Sequence, residues 1–124
     1  MKMPTTNYSV TARLDTSGEI ALCEYTDSGG KPAASPLRVP LGHSCTFVQA
    51  AAQPLVLVGA VFKTLGKKPV LTSSNFVPAV NGSVTVTMPA TDKVTKGVVL
   101  MFANPDAVNS LYPTSDPEII NEGP

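Results

Sequence analysis

The sequence predicts an all-β protein: an antiparallel β-sandwich of roughly seven to nine short strands, immunoglobulin-like or jelly-roll-like, with at most one short helical turn. Three observations predict it. Apolar residues alternate with period two in several segments, most clearly over residues 7–14 and 83–88. Gly, Pro, Asn and Asp recur as turn signals about every 8 to 12 residues. Charge is missing from the middle of the chain, where the only charged residues between Arg38 and Asp92 are Lys63, Lys67 and Lys68. Long uncharged β-type segments must be covered, either by the chain's own core or by another chain.

The first strand is expected over residues 7–14, with Tyr8, Val10, Ala12 and Leu14 on one face. Asp15, Thr16, Ser17 and Gly18 form a turn, and a second strand over 19–25 completes a hairpin. Residues 26–36, with Gly29-Gly30 and two prolines, read as a surface loop. A short extended piece at 37–39 precedes Pro40, and Gly42 allows a bend before a strand over 44–51. Ala50 to Ala52 has helical propensity, but Pro54 would stop a helix there. Residues 54–63 form the strongest strand, apolar on both faces and therefore expected to be covered on both. Gly59 within it suggests a bulge or a close backbone approach.

A turn centred on Gly66 carries the three lysines at a solvated tip. Short extended pieces follow at 70–72 and 75–80. Asn81-Gly82 is the best hairpin signal in the chain, because a type I′ turn needs positive φ at both central residues. Residues 83–88 then alternate cleanly, and 97–103 form another apolar strand after a polar loop. Asn104-Pro105 looks like a helix cap followed by proline at the first helical position, so a single helical turn is expected through Asp106 to Leu111. Residues 118–121 would add a last edge strand. The twelve prolines mostly lie at strand ends, which discourages edge-to-edge pairing.

A chain of 124 residues fits a single domain, 1–124, that can bury a core without metal or disulfide staples. Charged residues make up 15% of the chain, below the usual quarter or so, and formal net charge is zero. No basic face for nucleic acid is legible. Zero net charge removes one barrier to self-association. Residues 39–62 are the nearest thing to a membrane span, but Pro40, His43, Gln49, Gln53 and Pro54 interrupt them. The first residues show no apolar leader, so the expected location is cytoplasmic, or exported without a recognisable signal peptide.

Candidate chemistry is sparse. His43 lies two residues from Cys45, which puts both on one face of an extended chain, as a thiol–imidazole pair would require. No signature surrounds either residue, and a buried histidine beside a buried thiol accounts for both. Cys23 and Cys45 read as reduced thiols, with a single disulfide between neighbouring strands as the alternative. One histidine falls short of a blue-copper site, and no CxxC or HxxxH offers zinc its ligands. No cofactor is expected. Acidic residues gather near the C-terminus, so Asp106 and Asp116, with the loop aromatic Tyr112, are the candidate ligand-binding residues. Asn81-Gly82-Ser83 matches a glycosylation sequon, but the hairpin turn explains it.

The stretch Gly97 to Ile120 resembles the end of the bacterial inclusion-body protein family. The matching residues are Val98 to Phe102, Asp106, Tyr112 and the motif Asp116-Pro117-Glu118-Ile119. The segment Val39 to Phe47 is loosely similar to that family's turn into a strand, although the family's acidic residue after Gly42 is absent here. The family's tryptophans are also missing. The resemblance implies a non-enzymatic, self-associating bacterial β-sandwich.

The leading expectation is therefore a homo-oligomer acting through assembly or protein contacts, with an interface drawn from Leu55, Val56, Val58, Val84 and Val86. A carbohydrate-binding module or lectin using the loops near Gly29-Gly30 and Tyr112, with a glycan as partner, is the alternative.

Overall fold

The computed structural model describes residues 4–50, 55–65, 75–106, 111–114 and 117–123. Their strands are β1 (Thr5–Leu14), β2 (Ala21–Thr26), β3 (Pro32–Ala33), β4 (Leu37–Pro40), β5 (Ser44–Gln49), β6 (Val56–Thr64), β7 (Phe76–Pro78), β8 (Ser83–Val86), β9 (Thr95–Ala103), β10 (Leu111–Pro113) and β11 (Glu118–Gly123). The fold is all-β, with no α-helix among the described residues. The count exceeds the expected number because β3, β7 and β10 are pieces of two or three residues. The expected piece at 70–72, most of the lysine tip, Ala51 and Ala52, Asp116 and the middle of the expected helical turn lie outside the described residues. Leu111, expected to end that turn, begins β10 instead.

The strands form two sheets. The first has the order β3-β2-β1-β5-β8, and the second β4-β11-β9-β6-β7, with β10 also paired to β9. The expectation of wholly antiparallel sheets is corrected: β1 pairs with β5, and β4 with β11, in parallel. Parallel neighbours need a crossover rather than a hairpin. For β1 and β5 the crossover runs through the other sheet, because β4 intervenes between β3 and β5. The last strand is also corrected, since β11 lies between β4 and β9 rather than at an edge.

Local chemistry explains several turns. Gly18 has a φ of 75°, and Asp15 Oδ1 accepts hydrogen bonds from Ser17 Oγ and from the Glu19 and Ile20 amides. That Ser17 hydroxyl, ahead of the backbone donors, holds the Asp15 carboxyl below its ordinary pKa. At the other predicted turn, φ is 52° at Asn81 and 76° at Gly82, while Val80 and Ser83 exchange backbone hydrogen bonds. This is the type I′ signature. The turn does not join neighbours of one sheet, however: it passes the chain from β7 in the second sheet to β8 in the first.

One hydrophobic cluster draws on both sheets, including Val10, Phe47, Val84 and Val86 from the first and Leu37, Leu100, Phe102 and Ile119 from the second. Polar bonds cross between the sheets as well. The Tyr8 hydroxyl donates to the Arg38 carbonyl, and Gln49 Oε1 accepts the Leu57 amide at 2.8 Å. Asn121 is fully buried and ties down the loop that precedes β9, residues 89–94. Its Oδ1 accepts from the Val94 amide at 2.6 Å, and its Nδ2 donates to the carbonyls of Pro89 and Asp92. Among the described residues, every buried side-chain nitrogen and oxygen has a partner, as a stable interior requires.

Candidate functional site

His43, Cys45 and Cys23, the residue types that could carry chemistry, are not assembled for it. Burial pushes the Cys45 thiol up to about 12, and its side chain is inaccessible. A nucleophilic thiol needs the opposite environment, partly exposed with its pKa lowered. His43 faces Thr6, with its Nδ1 3.1 Å from the Thr6 hydroxyl. Cys23 is likewise raised, to about 11, mainly by burial. The two cysteines are free and lie on β2 and β5, with β1 between them. Cys23 is opposite Ala12 of β1 and Cys45 opposite Thr6, a separation of about 20 Å at ordinary strand dimensions and far beyond disulfide reach. The disulfide between neighbouring strands is thereby corrected. Among the described residues, no three His, Cys, Asp or Glu side chains group to hold a metal ion.

The expected loop position of Tyr112 is corrected. This residue is not a loop aromatic but the centre of β10, half-buried and packed against the core opposite Phe102. Asp106 is exposed on a turn, where its amide bonds to Asn104 Oδ1. Asp116 lies outside the described residues.

The interface expectation divides. Leu55, Val84 and Val86 are core residues with at most 2% of their surface accessible, so the folded chain leaves them nothing to offer a neighbour. On β8 the exposed partner of the alternation is Thr85. Val56 and Val58, by contrast, are 38% and 36% exposed, and Val61 joins them at 37%. The strand expected to be covered on both faces is covered on one.

The pairing registers show how far this open face extends. Val61 is flanked by Phe76 of β7 and Val99 of β9. Gly59 lies between Pro78 and Met101, and Met101 continues to Pro113 of β10. Val56 lies beside Ala103, which pairs with Leu111. Among the described residues these three successive rungs carry no charge; the middle one spans four strands and the other two span three each. Phe76 is 48% exposed and Leu111 59%. A bulge between Leu57 and Gly59 turns Val58 outward as well. Phe76 lies directly over Gly59: a β-carbon added to Gly59 would stand 2.9 Å from the ring. Gly59 thus accounts for both the expected bulge and the expected close approach.

The charged rung lies at one end of this face. Lys63 of β6 and Glu118 of β11 both pair with Gly97 of β9, one on each side. Gly97 supplies no side chain, and a groove of about 330 Å³ opens there between Val61, Val99, Leu65 and the two charged residues.

The outward side of the first sheet is different. Asn7, Ser9, Thr11 and Arg13 of β1 point outward, beside Glu24 of β2 and Thr46 and Thr85 of β5 and β8. Thr46 and Thr85 share a 2.8 Å hydroxyl bond. Near its edge a groove of about 640 Å³ is lined by Thr11, Arg13, Leu22, Glu24, Thr26 and residues 32–35.

Sequence reasoning missed Phe76, Val99, Met101 and Leu111. A signal existed in the unbroken apolar run Val98 to Phe102, which leaves apolar groups on both sides of a strand. No protein-family model matches the chain, and comparison with curated proteins finds no match either. No helix among the described residues is long and apolar enough to cross a membrane.

Proposed function

We propose that this protein is a non-enzymatic β-sandwich that works by associating with further copies of itself through the outward face of β6, β7, β9 and β10. The carrying observation is that uncharged face, with Phe76, Val61 and Leu111 open to solvent. The largest contiguous apolar patch on a monomer, about 300–600 Å² in a typical case, is often functional. The sandwich reading is supported by the core shared between the sheets and by the hydrogen bonds that cross between them.

Edge chemistry favours contact through a face. Of the four strands ending the two sheet paths, β3, β4 and β7 contain Pro32, Pro40 and Pro78. Proline blunts an edge against strand addition. The resemblance to bacterial inclusion-body proteins points the same way, toward assembly rather than catalysis. Sedimentation equilibrium over about two decades of dilution tests the reading. An oligomer is expected, and Val61→Lys should dissociate it, because a charge would be carried into an apolar contact. A wild-type monomer at every concentration sinks the proposal.

A carbohydrate-binding role is the second reading, favoured by the polar groove on the first sheet rather than by Tyr112. Arg13, Glu24, Thr11 and Thr26 supply donors and acceptors there around apolar Leu22, a mixture suited to a sugar. Glycan-array binding lost on Arg13→Ala would support it.

A further inference from the structure

We infer that two copies of the chain pack face to face about a two-fold axis running close to the β9 direction, with Lys63 of each copy paired to Glu118 of the other. The inference rests on the self-association reading and specifies its geometry. Two stacked sheets related by a two-fold axis in their interface admit two simple axis directions, along the strands or across them. An axis along β9 exchanges the strand on one side of β9 with the strand on the other, at an unchanged level.

The registers then decide between the two directions. Lys63 and Glu118 lie at one level, flanking Gly97 on opposite sides, about 10 Å apart at ordinary strand spacing. The exchange places each lysine over the other copy's carboxylate, twice per dimer. The Leu65 side chain covers Gly97, its Cδ2 3.3 Å from where a β-carbon would stand, so the paired head groups meet on either side of it, over β6 and β11, where the groove opens. At the uncharged levels the same operation sets Val99 over Val99 and Met101 over Met101. It also sets Val56 over Leu111, and Pro113 over Gly59 with its covering Phe76. An axis across the strands would instead bring the charged level of one copy over an uncharged level of the other, or like over like. Burying unpaired charge against apolar groups is costly, so the strand-parallel axis is selected. A small crossing angle between the stacked sheets is compatible with it, as sheet twist requires.

The face sets the strength of the contact. Four strands and three rungs span about 15 Å by 20 Å, a planar footprint of roughly 300 Å² per copy. Even with the charged level and the side-chain relief added, this lies at or below the lower end of stable interfaces, which bury about 1,200 Å² in total. The dimer is therefore a reversible one, populated at micromolar or higher concentration, on the order of 1 μM or weaker in Kd.

Charge exchange tests the axis. Full-length wild type, Lys63→Glu, Glu118→Lys and the double exchange Lys63→Glu/Glu118→Lys are compared by sedimentation equilibrium, with circular dichroism as the check on folding. Each single exchange sets like charges together twice, and should weaken the dimer by about tenfold or more. The double exchange should restore it to within a few fold. If the wild type dimerises and Val61→Lys disrupts it, but the double exchange fails to restore what the singles lose, the axis is wrong while self-association stands. Single exchanges that leave the dimer unchanged also overturn the axis. A wild type that is monomeric throughout removes both the axis and the reading beneath it.

Discussion

The outward faces of the two sheets are built from the same kind of strand and end in opposite chemistry. On the first sheet β1 alternates strictly: Tyr8, Val10 and Ala12 point in, while Asn7, Ser9, Thr11 and Arg13 point out. On the second, β9 buries Val98, Leu100 and Phe102 and turns Val99 and Met101 outward. Both sheets satisfy the core equally well. Only the first also satisfies water. The contrast locates the missing charge of the middle segment: it is missing from a surface as well as from the interior, and a surface of that kind gains by contact with another.

The largest effect that separates inside from outside is expected at Val86. This side chain is wholly buried and pairs across to Cys45. Val86→Glu should therefore unfold the chain rather than merely dissociate an assembly, costing several kcal/mol, on the order of 4 or more. Urea denaturation checks it. A stably folded variant that has lost only its oligomer would show that the inward face of β8 had been misassigned.

The sequence carried the first sheet's outward face more plainly than the second's. Alternation in 7–14 and 83–88 marks which side chains meet water, and Asn81-Gly82 announces its own backbone angles. An apolar run such as Leu55 to Phe62 says only that both sides are apolar, so it cannot tell which is covered by the chain itself. Pairing is a non-local property. The parallel neighbours β1 and β5 depend on a detour through the other sheet, and the internal place of β11 depends on β4 folding beside it. Tyr112 reads as a loop residue for a related reason: Pro113 lies within its short strand, and only the pairing with Phe102 shows that a strand is there. Asn121 gave no signal as a tie for a distant loop, because its three partners lie in residues 89–94.

Alkali should attack the first sheet from within. Tyr8, Cys23 and Cys45 all point inward from it, and burial raises the pKa of each. The sign follows from proton binding: the folded chain keeps thiol protons that the unfolded chain releases from its ordinary value of 9.0 upward. Stability is fully present below about pH 9 and falls as pH rises toward 12. For Cys45 the ceiling is about 4 kcal/mol, from three pH units at 1.36 kcal/mol each. Lys96 acts against this trend. Its folded pKa is lowered by burial beside Phe62, which favours the fold as pH rises toward the ordinary lysine value. Urea denaturation from about pH 7 to 11 should show a net decline, flattened in Cys45→Ala. A flat wild-type profile would mean that the thiol is reached by water.

A smaller change tests the shape of the apolar face. In Gly59→Ala the new β-carbon would stand 2.9 Å from the Phe76 ring and 3.0 Å from the Val77 carbonyl oxygen. The ring can swing away, but the carbonyl belongs to β7 and can move only with that strand. A cost of about 1–3 kcal/mol is expected, together with weaker association, because Phe76 would be displaced from its place over Gly59. Unchanged association in a destabilised variant would remove Phe76 from the contact.

The smallest effect serves as the counterpart to Val61→Lys. Thr85 is exposed on the polar face, and its hydroxyl bond to Thr46 is open to solvent. Replacing it by lysine should change stability by less than about 0.5 kcal/mol, as surface substitutions away from packed features usually do. It should also leave the oligomer intact. The two lysines add the same charge to the same fold, on opposite sides. If net charge alone governed association, both would weaken it alike. If the apolar face governs it, only the lysine at position 61 will, and the difference between the variants measures what that face contributes.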